Sequence, residues 1–196
     1  SRALIFFGGV DSNNNTAVAI RALASLGIAE LHVDVVIGAR HPRIEYVKSL
    51  CMEHGYACHV QTDRMATLMA AADISVGAGG TAMWERCCLG VPTLVISTAD
   101  NQRNQISGAA AQDLVFAPEF TAELEPQLRE YFGAFVENSM LRAAISRSCI
   151  HAVDGQGVRR VIDSLGTGGI SMRTVKLEDS AKLFEWRNHP TIRMAS

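Results

Sequence analysis

Short apolar runs alternate along the chain with longer stretches whose apolar positions recur every three or four residues. The apolar runs fall at residues 3–7, 32–37, 57–60, 74–76, 93–96 and 114–116. They are apolar throughout rather than every second residue, the pattern of strands covered on both faces. Between them, helical periodicity marks residues 16–26, 43–54, 65–72, 81–89 and 101–112. Three of these helices run into Gly27, Gly55 and Gly90, which supply a left-handed C-terminal cap. Strict strand–helix alternation predicts an α/β fold: a Rossmann-like parallel sheet with helices on both faces. Helical stretches then follow at 122–134, 140–148 and 158–165.

The segment Gly166-Thr167-Gly168-Gly169 interrupts this rhythm and reads as a linker at 167–169. A strand at 170–175 and a helix opening near Glu178 follow. That helix carries Leu183, Phe184 and Trp186 and ends before Pro190. The reading is therefore a domain over 1–166 and the truncated start of a second over 170–196. The chain also opens directly in a strand-like run, as expected of a piece of a longer protein.

Composition narrows the function. With 196 residues, 48% hydrophobic and 19% charged, the chain has ample material for one core. A net charge of -2 excludes the basic balance of a nucleic-acid binder. Any phosphate must be held mainly by backbone amides and dipoles. No membrane span is expected, since no run of 18 apolar residues occurs. The five cysteines form no disulfide framework, which points to a cytoplasmic protein. Cys51, His54, Cys58 and His59 cluster in sequence, but their spacing matches no common zinc site, and no metal is expected.

Three loops at the carboxyl ends of predicted strands carry the candidate chemistry, the edge where parallel α/β sheets bind ligands. In the first, Gly8, Gly9, Val10, Asp11, Ser12 and Asn13 follow a strand and precede a helix. Small residues there either admit a phosphate close to the backbone or simply form a capped tight turn. In the second, Gly77, Ala78, Gly79, Gly80 and Thr81 lead into a helix whose free N–H groups favour an anion by about 0.3–1 kcal/mol. No Lys follows these glycines, so this is not the loop of ATPases. Glu85, one turn into that helix, either accepts hydrogen bonds from the paired hydroxyls of a ribose or is a solvated surface residue. In the third loop, either Asp100 or Asn101 simply caps the next helix, or Asn101 and Gln102 hydrogen-bond sugar hydroxyls or a carbonyl.

The string from Gly77 to Thr81, continued by Trp84-Glu85-Arg86-Cys87-Cys88-Leu89-Gly90-Val91-Pro92 and later by Asn101-Gln102, resembles the C-terminal domain of the UDP-sugar hydrolases of pseudaminic-acid biosynthesis. The run from Gly8 to Asn14 is similar to the first loop of the same domain. The family has the two-domain GT-B fold and is related to the N-acetylglucosaminyltransferase that makes lipid II. The resemblance implies that Glu85 holds the ribose, that residues 77–81 face the diphosphate and sugar, that residues 9–13 close over the phosphates, and that Asn101 and Gln102 lie near the sugar. It implies water attack releasing UDP from UDP-2,4-diacetamido-2,4,6-trideoxy-β-L-altrose, with no cofactor. The family's catalytic His belongs to an N-terminal GT-B domain that this sequence does not contain. No catalytic base is assigned, and the chain alone is expected to be inactive.

Met172 to Asp179 and Phe184 to Pro190, with Ile192 and Arg193, are similar to the start of GNAT-type N-acetyltransferases, which use acetyl-CoA. A fusion of this kind would join acetylation of a UDP-amino-sugar to its hydrolysis. Two alternatives stand beside the hydrolase: a GT-B glycosyltransferase using a UDP-sugar donor, and a non-catalytic nucleotide-sugar-binding module.

Overall fold

Five predominantly apolar runs form one parallel sheet in the computed structural model, which describes residues 1–121, 123–165, 173–174 and 176–188. The strands are β1 (Arg2–Phe6), β2 (His32–Ile37), β3 (Ala57–Val60), β4 (Ile74–Ala78) and β5 (Thr93–Ile96), in spatial order β3-β2-β1-β4-β5. Their pairing is parallel throughout, with Phe6 opposite both Val36 and Gly77, and Ala78 opposite Ile96. The connecting helices are α1 (Asn15–Ala24), α2 (Ile44–Glu53), α3 (Met65–Ala70), α4 (Thr81–Cys88) and α5 (Arg103–Ala110). Two longer helices follow, α6 (Leu124–Glu137) and α7 (Ser139–Ala152).

The sheet is buried on both faces because its strands carry apolar side chains in both directions. On one face Ile5, Val35, Val76 and Leu94 pack with Ile20, Val47, Met83 and Phe132 of the helices. On the other, Leu4 and Val36 meet Leu68 and Met69 of α3. Gly27, Gly55 and Gly90 all adopt positive φ just past their helices, as the capping argument requires.

The run at 114–116 is not a sixth full strand; it makes a single parallel bridge, Phe116 to Leu94. The Phe116 amide donates to Thr93, but the Leu114 amide is taken by the Ala109 carbonyl at the end of α5. Pro118, two residues further, has no N–H to continue the ladder.

The chain divides into two compact units, Ser1–Gly155 and Gln156–Ser196. The division precedes the glycine-rich segment, so the helix expected at 158–165, here α8 (Gly157–Ser164), falls in the second unit. The linker at 167–169 lies outside the described residues. Of the strand expected at 170–175 only Arg173 and Thr174 are described, and neither is in a strand. The second unit also holds a short turn, Leu177–Asp179, leading into α9 (Ser180–Asn188). Asp179 closes that turn by accepting from the Lys176 amide at 2.8 Å and pairing with Arg173 at 2.6 Å.

Candidate functional site

β1 sits between β2 and β4, so the chain reverses its direction of travel across the sheet at β1. The loops leaving β1 and β4 part at that point and leave a crevice at their carboxyl ends, the usual ligand position in open α/β sheets. Two helix N-termini open onto this edge, those of α1 and α4. They differ in what satisfies them.

The α1 terminus is already occupied. Asp11, at φ 42°, turns its carboxylate inward, where Oδ1 accepts from the Asn15 amide at 3.0 Å and Oδ2 from the Thr16 amide at 2.7 Å. Oδ1 also accepts from the Asn15 side chain at 3.2 Å. His41, fully buried in the loop after β2, brings Nε2 to 3.6 Å from Asp11 Oδ2. The His41 Nδ1 accepts from the Arg43 amide at 3.1 Å, which leaves Nε2 as the protonated nitrogen facing the carboxylate. The loops after β1 and β2 are also in direct contact: a Cβ on Gly38 would stand 2.2 Å from the Gly9 carbonyl oxygen. Asp11 is therefore the internal clasp of its loop, and its carboxylate does not reach a ligand. Gly9, Val10 and Asn13 remain exposed on the outer side.

The α4 terminus is open. Its N-cap is Gly80, at φ 83°, and no side chain caps it. The loop before it is shorter than the sequence implies. Gly77 and Ala78 continue β4 as buried strand residues because pairing with β5 runs to Ala78 and Ile96. Only Gly79 and Gly80 turn, with Thr81 exposed at the first helical position. Gly79 needs its small size, since a Cβ there would meet Ile106 at 2.9 Å. Glu85 is exposed, and its side chain has no hydrogen bond or ion pair among the described residues.

From the β5 side, Gln102 reaches back over its own loop. Its Oε1 accepts from the Thr98 amide at 3.2 Å and the Thr98 hydroxyl at 3.1 Å. Its Nε2 lies 3.8 Å from where a Gly80 Cβ would stand, so Gln102 joins the β4 and β5 loops. Asn101 is exposed in the single 3-10 turn Asp100–Gln102. A groove of about 640 Å³ runs between Asn13, Ser97, Arg103, Ile106 and Phe120. A smaller hollow of about 250 Å³ between Phe7, Ser12, Asn13 and Thr98 adjoins it through Asn13 and Asn15. The three loops thus converge as their strand positions require.

Two residues with structural weight at this edge escape sequence reasoning. His41 gives no signal beyond following a strand. Arg86 stands on α4 between Glu85 and Cys87, where it reads as an ordinary helix cation, yet it is fully buried. Its Nη2 donates to the Ala78 carbonyl at 2.6 Å. Burial pulls its pKa down to about 10.

The cysteine–histidine cluster disperses. His59 pairs with Asp34 at 2.8 Å, and His54 stacks near Tyr56. Cys51 and Cys58 share a thiol hydrogen bond, which, with Lys48 nearby, lowers the Cys58 pKa to about 7 and raises that of buried Cys51. Among the described residues, no three His, Cys, Asp or Glu side chains converge as a metal site. No described helix is long and apolar enough to cross a membrane.

The chain is similar to the spore coat polysaccharide biosynthesis protein SpsG of Bacillus subtilis strain 168. The two are 29% identical over 166 residues, covering 81% of this chain and 48% of SpsG. No protein-family model matches the chain. Among solved structures it resembles WaaG, a glycosyltransferase involved in lipopolysaccharide biosynthesis, with 22% identity and a TM-score of 0.64 over 86% of this chain and 48% of WaaG. It also resembles S. aureus MnaA in complex with UDP, with 10% identity and a TM-score of 0.64 over 84% of this chain and 45% of MnaA. The fold shared with these structures is a Rossmann-like α/β arrangement, a parallel sheet with helices on both faces. The chain spans about half the length of the proteins it matches.

Proposed function

We propose that residues 1–155 are the nucleotide-binding part of an enzyme that acts on a UDP-sugar. The observation carrying this is the contrast between the two helix N-termini at the crevice. Asp11 fills that of α1, whereas α4 offers an uncapped terminus behind two glycines, with the free Glu85 one turn further on. That arrangement suits a diphosphate against Gly79, Gly80 and Thr81, because uncapped amides and the helix dipole attract an anion without surface lysines. Glu85 then accepts from the ribose hydroxyls. The exposed faces of Gly9, Val10 and Asn13 border the phosphates, and Asn101 and Gln102 border the sugar. Gly77 and Ala78 set the level of the site from within the sheet.

On the chemical step, the resemblance of residues 77–92 to the pseudaminic-acid hydrolases favours attack by water and release of UDP, with the base on an N-terminal GT-B domain. Similarity to SpsG and WaaG favours a second reading, transfer of the sugar to an acceptor. The second unit is proposed as the start of a GNAT-type domain using acetyl-CoA. A UDP-sugar substrate and five free thiols suit work in the cytoplasm.

Calorimetric titration with UDP tests the common core of both readings. Saturable binding that Glu85→Ala weakens by about 1–3 kcal/mol is the expected result, the cost of losing a charged hydrogen-bond acceptor. A folded wild-type chain that ignores UDP would refute it. Incubating the full-length protein with the UDP-sugar then separates the chemistries: free sugar without acceptor marks a hydrolase, and acceptor-dependent UDP release a transferase.

A further inference from the structure

Arg86 carries a buried charge that no ion pair among the described residues answers, with Glu85 acting on it only at longer range. It is 0% exposed, and it has no ion pair among the described residues. Of its guanidinium nitrogens only Nη2 has a partner, the Ala78 carbonyl at 2.6 Å, while Nε and Nη1 have none. A cation of this kind opposes folding, a cost that a role in the site above it would explain.

Its position indicates what that is. Side chains on a helix lean toward the helix N-terminus, so Arg86 leans back along α4 toward Gly79 and Gly80. It reaches the last residues of β4, where Nη1 lies 2.6 Å from the point a Gly77 Cβ would occupy. The glycine at 77 is thus the vacancy that admits the guanidinium. The bond to Ala78 fixes the peptide between Ala78 and Gly79. That peptide is trans, so holding its oxygen toward Arg86 turns the Gly79 N–H away from the guanidinium. The loop ahead of α4 therefore rests on a buried cation and leads into an uncapped helix terminus, two sources of positive potential at one point.

We propose that Arg86 is a positioning residue for a diphosphate: its buried charge, without an ion-pair partner and held behind the Ala78–Gly79 peptide, makes the α4 terminus selective for a doubly charged phosphate group over a neutral or singly charged ligand. It acts through the loop and through space, without touching the ligand. This rests on the UDP-sugar reading for the identity of the nucleotide, but not for the anion site itself. Asp11 explains why the neighbouring terminus does not compete, since its carboxylate already neutralises α1.

The test is titration of the chain with inorganic pyrophosphate, UDP and uridine, using wild type, Arg86→Lys, Arg86→Gln and Arg86→Met. Near-ultraviolet circular dichroism checks the fold of each. Arg86→Met should weaken pyrophosphate and UDP tenfold or more and change uridine less than twofold, with Arg86→Lys recovering most of the loss. Arg86→Gln keeps a donor for Ala78 while removing the charge, and it should behave as Arg86→Met does; it is the variant to read if the methionine variant fails to fold. Equal losses for UDP and uridine, or unchanged pyrophosphate binding in a folded neutral variant, would overturn the proposal. Wild type that binds pyrophosphate in an Arg86-dependent manner but ignores UDP would refute the nucleotide reading and leave the anion site standing. Wild type that binds neither would overturn both.

Discussion

Replacing Gly77 with alanine should cost far more than a methyl group ordinarily does. An added Cβ would stand 2.1 Å from the Phe6 carbonyl oxygen and 2.6 Å from Arg86 Nη1. Phe6 and Gly77 are register partners in the central pair β1 and β4, so the oxygen belongs to backbone that two neighbouring strands hold in place. Relief requires both parting β1 from β4 and pushing the guanidinium off the Ala78 carbonyl. The first is overpacking of a tight core, about 1–3 kcal/mol. The second forfeits a charged hydrogen bond, about 1.5–3 kcal/mol. Together they give about 2.5–6 kcal/mol, a large part of the roughly 5–15 kcal/mol that stabilises a typical domain. For a unit the size of Ser1–Gly155 this is a drop in melting temperature of roughly 10 °C, measurable by scanning calorimetry. Gly9→Ala is the comparison. It has open space around the added Cβ and no positive φ, so it should shift stability by less than about 1 kcal/mol while weakening UDP binding. A Gly77→Ala protein that melts within about 3 °C of wild type would refute the close approach of β1, β4 and Arg86 on which this rests.

Arg86→Met should leave stability nearly unchanged, because relief of the desolvation that pulls the arginine pKa down to about 10 offsets the lost bond to Ala78. In urea denaturation the wild type should also gain on this variant as pH rises through about 10 and above, where the unfolded arginine binds more protons than the folded one. Asp11→Ala strips the α1 terminus of its acceptor and leaves the facing His41 N–H without a carboxylate; thermal melting should report a loss of about 2–4 kcal/mol, and a loss under 1 would contradict the buried clasp. Alkylation with iodoacetamide should modify Cys58 before Cys51, with a midpoint at about pH 7 that moves upward in Lys48→Met; a midpoint near that of a free thiol would show that the Cys51 bond and the lysine do not act on it.

Much of this protein is determined by local chemistry that any fold would have to respect. The runs, apolar on both sides for most of their length, could be buried only between two helical layers. The glycines at 27, 55 and 90 end helices because they alone take the left-handed cap without a Cβ penalty. That three loops would gather at one edge follows from strand–helix alternation itself, since every strand of a parallel sheet points its carboxyl end the same way. What no run of letters could decide is which atoms those loops spend on themselves. Asp11 looks like a ligand-facing acid until its carboxylate is seen facing the amides of Asn15 and Thr16. Gly77 and Ala78 look like loop until their register with Val95 and Ile96 makes them strand. The run at 114–116 looks like a strand until the missing N–H of Pro118 and the capture of the Leu114 amide by Ala109 halt it at one bridge. Arg86 is the sharpest case: an arginine in an amphipathic helix is ordinarily solvated, and its burial depends on a vacancy supplied by a glycine nine residues earlier on another element. Sequence periodicity records which residues prefer water. The choice among hydrogen-bond partners and the tolerance for a buried charge depend on distances between elements, and only the packed tertiary structure sets those.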